Sequence, residues 1–455
     1  MKHINPFKVK LDRRGFFRTA GLGAGALMLN AGLLNRSAQA QTTENRNFVF
    51  AYFSGGWDTL LCLDPRNPDD FSEARIRDTN IQLAWDRLPA GFEAQMVGFD
   101  DSPITFGPAI GDFKKHYQKS CLVRGISMDT LTHEVGRRYM MTGQMPAGLQ
   151  ATGSSIPTRI VAQQGDLAPI PNLVARAETY NKGLPNFASG LSVNSAGDLV
   201  MTLQRLPESP SQRIFSHLNA YRRRRVPCDP TNLGRNGFFD QIQESENKAQ
   251  SLIDSALNEY FDFGRPEHAA LREQYGLGNI RPGGLGTGFS AGEQAAIAAQ
   301  ALKHGVAQCV TVSLANGLDT HDESWADDHP TILRDGFNAL SALIDDLESA
   351  GLMANTTIVV FSEFGRTPLL NTRDGRDHSL SSCALLIGAG IKANTVVGAS
   401  SDVGLGPLQI NPDSGLAVAS GGITITPSNV LASVMQSAGY DPSALRTQGL
   451  PCIMA

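Results

Sequence analysis

Several carboxylates and imidazoles of this sequence fall in short loops that follow strand-like runs. In an open α/β sheet the carboxyl ends of the parallel strands meet at one edge, where ligands bind. Three or four carboxylates with two imidazoles in one place suit one or two divalent cations, Zn²⁺, Mn²⁺ or Mg²⁺, because the negative ligands repel one another without a cation. The residues predicted to converge are Asp58, Asp319, His321, Glu363, Asp377 and His378, with Arg366 positioned to offset charge on an anionic oxygen.

Each of these residues, taken singly, also fits a structural role. Asp58 could cap a helix, Asp319 could hold a turn through its side chain, and Glu363 could pair with Arg366 at the surface. His321 could be an ordinary loop histidine. The joint occurrence of these residues at strand ends favours the metal site over separate structural roles.

Alternating strands and helices in the last third of the chain are the elements that would position these groups. Strands are predicted over 307–314 and 356–361, with an amphipathic helix over 331–350 between them. An alanine-rich helix precedes them, because Ser290 and Glu293 have the spacing of a capping box. This order predicts an α/β fold with a mostly parallel central sheet flanked by helices on both faces.

Earlier parts of the chain contain fewer clear elements. Strands are predicted over 47–53 and 120–126, and a helix over 133–141. The segment 148–282 is irregular and rich in Pro, Asn and Arg, with one helix expected within 241–260. We interpret this segment as a long insertion.

The first 40 residues have the organisation of an export signal. Arg13 and Arg14 precede the apolar stretch 20–34, and Ala38 and Ala40 supply the small residues of a signal-peptidase site. The paired arginines resemble a twin-arginine signal. An uncleaved anchor helix is the alternative, although the stretch is shorter than the roughly 20 residues of a membrane span. We therefore expect cleavage after Ala40, a mature domain over 41–455, and a periplasmic or secreted location.

The charge of the mature chain excludes some classes of partner. Residues 1–40 carry seven basic residues and one acidic residue, so the rest has 32 basic and 43 acidic residues, a net charge of −11. This balance argues against nucleic acid as the main partner, and no later stretch is apolar enough to span a bilayer. The six cysteines form no CxxC motif typical of a zinc site, and buried free thiols are favoured for Cys309 and Cys383.

Four motifs carry a resemblance to a known family. FSGGWDTL, GLDTHDES, SEFGRTP and GRDHS, after an export signal, resemble the exported bacterial proteins grouped as domain of unknown function 1501. That family is similar to the alkaline-phosphatase superfamily of phosphatases, sulfatases and phosphoglycerate mutases. The resemblance implies that Asp58, Asp319, His321 and His378 match metal ligands. It also implies that Glu363 replaces an aspartate and that Phe364 stands where the superfamily has a histidine ligand.

The same resemblance suggests a nucleophile. Thr132 and His133 precede a Thr-Gly pair at the distance seen in the superfamily, so Thr132 is the first candidate, followed by Thr59 and His133. A structural role for Thr132 as a helix N-cap is the alternative. The sequence near Cys228 lacks the arginine of a sulfatase signature, which disfavours that activity.

Two functions remain open from the sequence. The first is a metal-dependent hydrolase of phosphoric, less readily sulfuric, esters, acting on an anionic ester substrate. The second is a non-catalytic envelope scaffold or partner protein that keeps the fold, which Phe364 favours. The sequence does not identify a protein partner.

Overall fold

The computed structural model describes residues 46–204, 255–282 and 288–455, together with the single positions 217, 248, 251 and 252. The export signal expected over 1–40, and the first part of the helix expected within 241–260, lie outside these residues, as does Cys228. Within them, no helix combines the length and the apolar character needed to cross a membrane.

Fourteen strands are described, eight of which form the central sheet. They are β1 (Asn47–Ser54), β2 (Val97–Gly98), β3 (Thr105–Phe106), β4 (Ser120–Ser127), β5 (Asn172–Ala175), β6 (Leu191–Val193), β7 (Cys309–Asn316), β8 (Thr356–Phe361), β9 (Gly365–Arg366), β10 (His378–Ser379), β11 (Ser381–Gly388), β12 (Thr395–Val397), β13 (Gln409–Ile410) and β14 (Ile423–Thr424).

The central sheet is mostly parallel, as predicted. Its order is β12-β4-β11-β8-β1-β7-β5-β6, and β11 alone runs antiparallel to its neighbours β4 and β8. The carboxyl ends of the seven parallel strands therefore lie at the same edge as the amino end of β11. This arrangement confirms the expected fold class.

The helices described are α1 (Ile76–Thr79), α2 (His133–Thr142), α3 (Ile156–Gln164), α4 (Ala196–Leu203), α5 (Ala269–Gln274), α6 (Ala291–Lys303), α7 (Ser324–Ser349) and α8 (Pro427–Ser437). Helix α6 begins after Ser290, whose hydroxyl accepts a hydrogen bond from Glu293 N at 3.2 Å. Helix α7 begins seven residues before the predicted start. Pro330 lies inside it, and an interior proline normally indicates a helix end.

The two faces of the sheet are buried in two separate cores. Along β1, Val49 and Phe53 pack with α6 and α7 on one face, whereas Phe48 and Phe50 pack with α8 on the other. Because both faces are covered, the strand has a continuous apolar sequence. The prediction of helices on both faces is confirmed.

Part of the segment expected to be an insertion belongs to the sheet. Strands β5 and β6 lie within 148–282 and extend the sheet beyond β7. They contain four and three residues, too few for a periodic pattern to reveal. Cys309 and Cys383 are buried free thiols, as expected.

Candidate metal centre

A cluster of three histidines surrounds one carboxylate oxygen at the carboxyl edge of the sheet. Asp319 Oδ1 lies 3.0 Å from His321 Nε2, 3.1 Å from His133 Nε2 and 3.3 Å from His378 Nε2. His321 Nε2 and His378 Nε2 are themselves 3.0 Å apart. We call these four residues, His133, Asp319, His321 and His378, the metal centre.

The residues of the metal centre come from three parts of the sheet, with Asp319 and His321 in the same loop. His133 is the first residue of α2, which follows β4, and Asp319 lies in the loop after β7. His378 lies in β10, directly before β11. Because β11 is antiparallel, its amino end reaches the edge at which the parallel strands end. Residues distant in sequence therefore meet at one place.

The outer nitrogen of each imidazole is held by an acceptor. His133 Nδ1 lies 2.9 Å from Glu363 Oε1, His321 Nδ1 lies 2.8 Å from Asp377 Oδ1, and His378 Nδ1 lies 2.6 Å from the Leu131 carbonyl. A carbonyl or carboxylate can only accept, so each Nδ1 donates a proton. In the neutral tautomer each Nε2 therefore presents a lone pair towards Asp319 Oδ1.

These atoms fit a divalent cation better than they fit one another. The Nε2 lone pairs of His133 and His378 and the Asp319 carboxylate oxygen repel one another where no cation lies between them, whereas His321 Nε2 accepts a hydrogen bond from Arg366 Nη1 at 3.2 Å. His133 Nε2 is buried and makes no hydrogen bond to a described residue. His133, Asp319 and His378 each offer a ligand atom within 4.8 Å of the others, and acceptors on the outer nitrogens are typical of metal-bound histidines.

The electrostatic environment gives the imidazoles different pKa values. Burial lowers the pKa of His378 below its ordinary value, despite the hydrogen bond to Leu131. Burial also lowers the pKa of His133, but the hydrogen bond and charge of Glu363 outweigh it and the net shift is upward. For Asp319, burial raises the pKa, whereas the hydrogen bond and charge of Arg366 bring it well below the usual range. Asp319 is therefore ionised at neutral pH.

Glu363 and Asp377, predicted as ligands, contact the histidines through the outer nitrogens. Glu363 is buried, and its Oε1 also accepts a hydrogen bond from Gly55 N at 2.9 Å. Asp377 Oδ1 also accepts from Asn371 Nδ2 at 2.9 Å. Both carboxylates orient an imidazole, a role that supports metal binding from outside the ligand set.

Arg366 is fully buried and its donors are already used. Its Nε donates to Gly56 O at 2.9 Å and its Nη1 donates to Arg376 O at 3.1 Å and to His321 Nε2 at 3.2 Å. Its Nη2 donates to Asp319 Oδ1 at 2.6 Å and to Gly55 O. The structure therefore does not present Arg366 to a substrate oxygen. Instead, Arg366 connects the glycine turn after β1 to the Asp319 loop.

Asp58 takes part in a buried ion pair. Its Oδ2 lies 2.8 Å from Arg376 Nε and accepts a hydrogen bond from Trp325 Nε1 at 3.0 Å. Its Oδ1 accepts from Leu60 N at 3.0 Å. With both oxygens engaged, the structure gives Asp58 a structural role in place of the predicted metal ligation.

Phe364 occupies the position at which the sequence resemblance implies a histidine ligand. Its ring is fully buried, and its centre lies 4.8 Å from that of His133 and 4.5 Å from that of His378. The ring forms an apolar wall that fixes both imidazoles. Neither Phe364 nor the paired Asp58 therefore supplies a ligand atom at the metal centre.

Close backbone approaches hold these parts together. A Cβ on Gly136 of α2 would lie 2.5 Å from Glu363 O, so only glycine lets the helix reach Glu363. Gly55 has a φ of +115°, and a Cβ there would lie 2.6 Å from Leu318 N. The turn after β1 therefore packs directly against the loop that carries Asp319.

The two threonine candidates have different surroundings. Thr132 occupies the N-cap position of α2, but its side chain makes no capping hydrogen bond and is exposed. Leu131 on one side contacts His378, and His133 on the other belongs to the metal centre. Thr59 is buried.

His133 is the residue whose role the sequence left unresolved, since it was considered only as a nucleophile. Its position after β4 was the available signal, because the end of that strand lies at the same edge. A cavity of about 710 Å³, lined in part by Asp112, Asp335 and Asp345, contains no residue of the metal centre.

These features define an α/β protein with a histidine- and carboxylate-rich centre at the carboxyl edge of a mostly parallel sheet. The chain belongs to the family described as "Protein of unknown function (DUF1501)", whose sequence model matches residues 45–412. This confirms the family expected from the four motifs. No curated protein sequence matches the chain significantly.

Several solved structures are similar to the chain at low identity. The lipoteichoic acid synthase LtaP from Listeria monocytogenes has a TM-score of 0.37 and 8% identity, covering 88% of this chain and 74% of LtaP. The phosphonate monoester hydrolase SpPMH from Silicibacter pomeroyi has a TM-score of 0.37 and 12% identity, with coverages of 89% and 76%. A protein in the alkaline phosphatase superfamily from Vibrio parahaemolyticus has a TM-score of 0.34 and 10% identity, with coverages of 82% and 70%. Similarity of this degree does not define an activity.

Proposed function

We propose that the protein is a hydrolase of anionic esters, phosphoric or sulfuric, that depends on one divalent cation. The convergence of three imidazole Nε2 atoms on Asp319 Oδ1 carries this proposal. Of the three cations considered, the donor set favours Zn²⁺ over Mn²⁺ and Mg²⁺, because imidazole nitrogen suits Zn²⁺ whereas Mn²⁺ and Mg²⁺ are better suited by oxygen. A bound cation would offset the negative charge of an ester oxygen.

The residues of the chain would act around this cation as follows. Glu363 and Asp377 keep the protons on the outer nitrogens of His133 and His321, so that both Nε2 lone pairs face Asp319; that of His321 also accepts a hydrogen bond from Arg366 Nη1 at 3.2 Å, which a bound cation would replace. Arg366 keeps Asp319 ionised and in place. None of these groups needs to move during a reaction, which is the arrangement expected of a preorganised site.

Thr132 is the nucleophile we propose. Its hydroxyl makes no capping hydrogen bond, and it lies between Leu131, which contacts His378, and His133 of the metal centre. This is the start of α2, where helix N–H groups favour negative charge. Thr132 Oγ would attack the phosphorus or sulfur atom, the bond to the ester oxygen would break, and the alcohol would leave with the proton of Thr132. Water would then hydrolyse the threonine ester and release phosphate or sulfate.

Two substitutions separate metal binding from chemistry. His378→Ala should remove both the bound metal and the hydrolysis of aryl phosphates or sulfates, since it deletes a ligand. Thr132→Ala should keep the metal and remove the hydrolysis. His304→Ala and Thr331→Ala, exposed positions elsewhere, are the matched controls. Metal content is measured by elemental analysis and hydrolysis by release of the aryl alcohol.

A non-catalytic envelope scaffold is the second candidate, and the single-cation centre with its Phe364 wall favours it. It predicts metal-loaded protein that hydrolyses no ester in a broad panel of phosphates and sulfates, and no effect of Thr132→Ala. That result would refute the hydrolase proposal. For either function we propose an exported protein, on the basis of the arginine pair and cleavage site within residues 1–40.

A further inference from the structure

A second polar cavity lies at the same edge of the sheet as the metal centre. Its volume is about 430 Å³, within the usual range of ligand pockets. It is lined by Ser54 at the end of β1, Asn316 at the end of β7, Arg176 directly after β5, and Asn194 directly after β6. We call it the arginine cavity.

The arginine cavity lies next to the metal centre. Arg137 lines it and follows His133 by four residues on α2, so the two side chains share one face of that helix. Tyr52 also lines it, and the Glu363 carboxylate that holds His133 acts on the Tyr52 hydroxyl, contributing with burial to a raised pKa of Tyr52. One molecule could therefore reach both sites.

Two buried donors on the cavity wall lie near other polar groups without making a close hydrogen bond to them. Tyr52 is 2% exposed, and neither its hydroxyl nor the buried Arg137 Nε makes a hydrogen bond within the described part of the chain. Buried donors of this kind are costly unless a ligand or solvent pairs with them. Their presence on one cavity wall indicates a site for an acceptor.

The charge of the cavity is positive. Its charged lining residues are Arg137, Arg176 and Glu178, and Glu178 forms an ion pair with Arg137. Arg176 donates to Asn194 O at 2.8 Å and Gly288 O at 3.2 Å, and it forms no salt bridge to a described residue. It also has a φ of +54°, an unusual conformation for a residue other than glycine, asparagine or aspartate. Arg176 is therefore a cation on the cavity wall with no direct carboxylate contact among the described residues, although its charge acts on the buried Glu293 carboxylate.

We propose that the arginine cavity binds a second anionic group, a carboxylate, sulfate or phosphate, on the alcohol portion of the substrate. This inference rests on the proposed hydrolase function and narrows its substrate class to esters that carry two anionic groups. Arg176 would contact the second group, while the ester itself would lie at the metal centre. Arg366 cannot take this role, because it is buried and its donors are occupied.

A pair of matched substrates tests the proposal. The first is para-nitrophenyl phosphate, and the second is the same ester with a carboxylate beside the nitro group. In the unmodified protein kcat/KM should favour the carboxylated ester. Arg176→Gln should lower that preference about tenfold, the loss expected for one charge-assisted hydrogen bond. Arg75→Gln, at an exposed arginine elsewhere, should leave it unchanged.

A second variant guards against a folding defect in Arg176→Gln. Asn316→Asp keeps both arginines and adds a carboxylate to the cavity, so it should also lower the preference for the carboxylated ester. Circular dichroism in the near ultraviolet checks the fold of each variant. A preference that stays unchanged in both folded variants would overturn the proposal.

Binding of the product separates this proposal from the proposed function. The carboxylated nitrophenol should bind the chelator-treated protein, bind His378→Ala equally well, and bind Arg176→Gln about tenfold more weakly. That result without ester hydrolysis would support the cavity and refute the hydrolase. Hydrolysis with no effect of the cavity variants on preference or binding would support the hydrolase and refute the cavity.

Discussion

Breaking the buried ion pair between Asp58 and Arg376 tests whether Asp58 has a structural role or is a metal ligand. The side chains of Asp58 and Arg376 are 1% and 0% exposed, and the atoms Asp58 Oδ2 and Arg376 Nε are 2.8 Å apart. Asp58→Asn keeps the shape of the side chain but leaves the guanidinium buried without its counter-charge. Breaking a buried pair in this way costs about 3–5 kcal/mol in the free energy of unfolding.

The assay compares stability and metal content in the same variant. Urea unfolding of chelator-treated protein should show the loss of stability. Elemental analysis of protein not treated with chelator should show an unchanged amount of bound metal. Asp402→Asn is the matched control: Asp402 pairs with Arg66 at 2.8 Å but is 75% exposed, so its loss should matter far less. If Asp58→Asn lost the metal and kept its stability, Asp58 would be a ligand and our assignment of the centre would fail.

Cation affinity, measured by metal titration, should fall as the pH decreases, and the fall should begin above the ordinary histidine pKa of 6.5 because Glu363 raises the pKa of His133. In chelator-treated protein the folding stability has the opposite pH dependence. Protonated His133 contributes stability at low pH, and this contribution is lost as the pH rises through its raised pKa. Gly55→Ala should lower the free energy of unfolding by about 2–4 kcal/mol in urea, since its Cβ would lie 2.6 Å from a backbone nitrogen. Gly183→Ala, with positive φ but no neighbour within 4 Å, should cost less. Mass spectrometry of exported protein should find Gln41 as the first residue, and retention of residues 20–40 would contradict the predicted cleavage.

Regular elements with strong patterns could be predicted closely from the sequence. The strand over 356–361 has the predicted bounds, and α2 extends the predicted helix by one residue. The misses have physical causes. Strands β5 and β6 are too short to show alternation, and the first turns of α7, before Pro330, precede the apolar repeat from which that helix was predicted. Local pattern therefore predicted the framework but not its short edge strands.

The sequence predicts the residues of the candidate site that are placed by the ends of strands. Asp319, His321 and His378 lie together because a parallel sheet brings such positions to one edge. Asp58 also follows a strand, yet its partner Arg376 is remote in sequence, and no local pattern reveals such a pair. The orientation of Glu363 towards the outer nitrogen of His133 depends likewise on packing, which a single sequence does not display.

The wide separation of the ligands in the sequence has a consequence for the kinetics of folding. Leu131, which holds His378, precedes it by 247 residues, so the three histidines can meet only after β4, β7 and β11 have assembled. A cation bound at this centre would therefore add its binding energy to an almost completed fold and not to an early nucleus. Interactions that form late change the unfolding rate far more than the folding rate. A bound cation would accordingly lengthen the lifetime of the folded chain without making it fold faster.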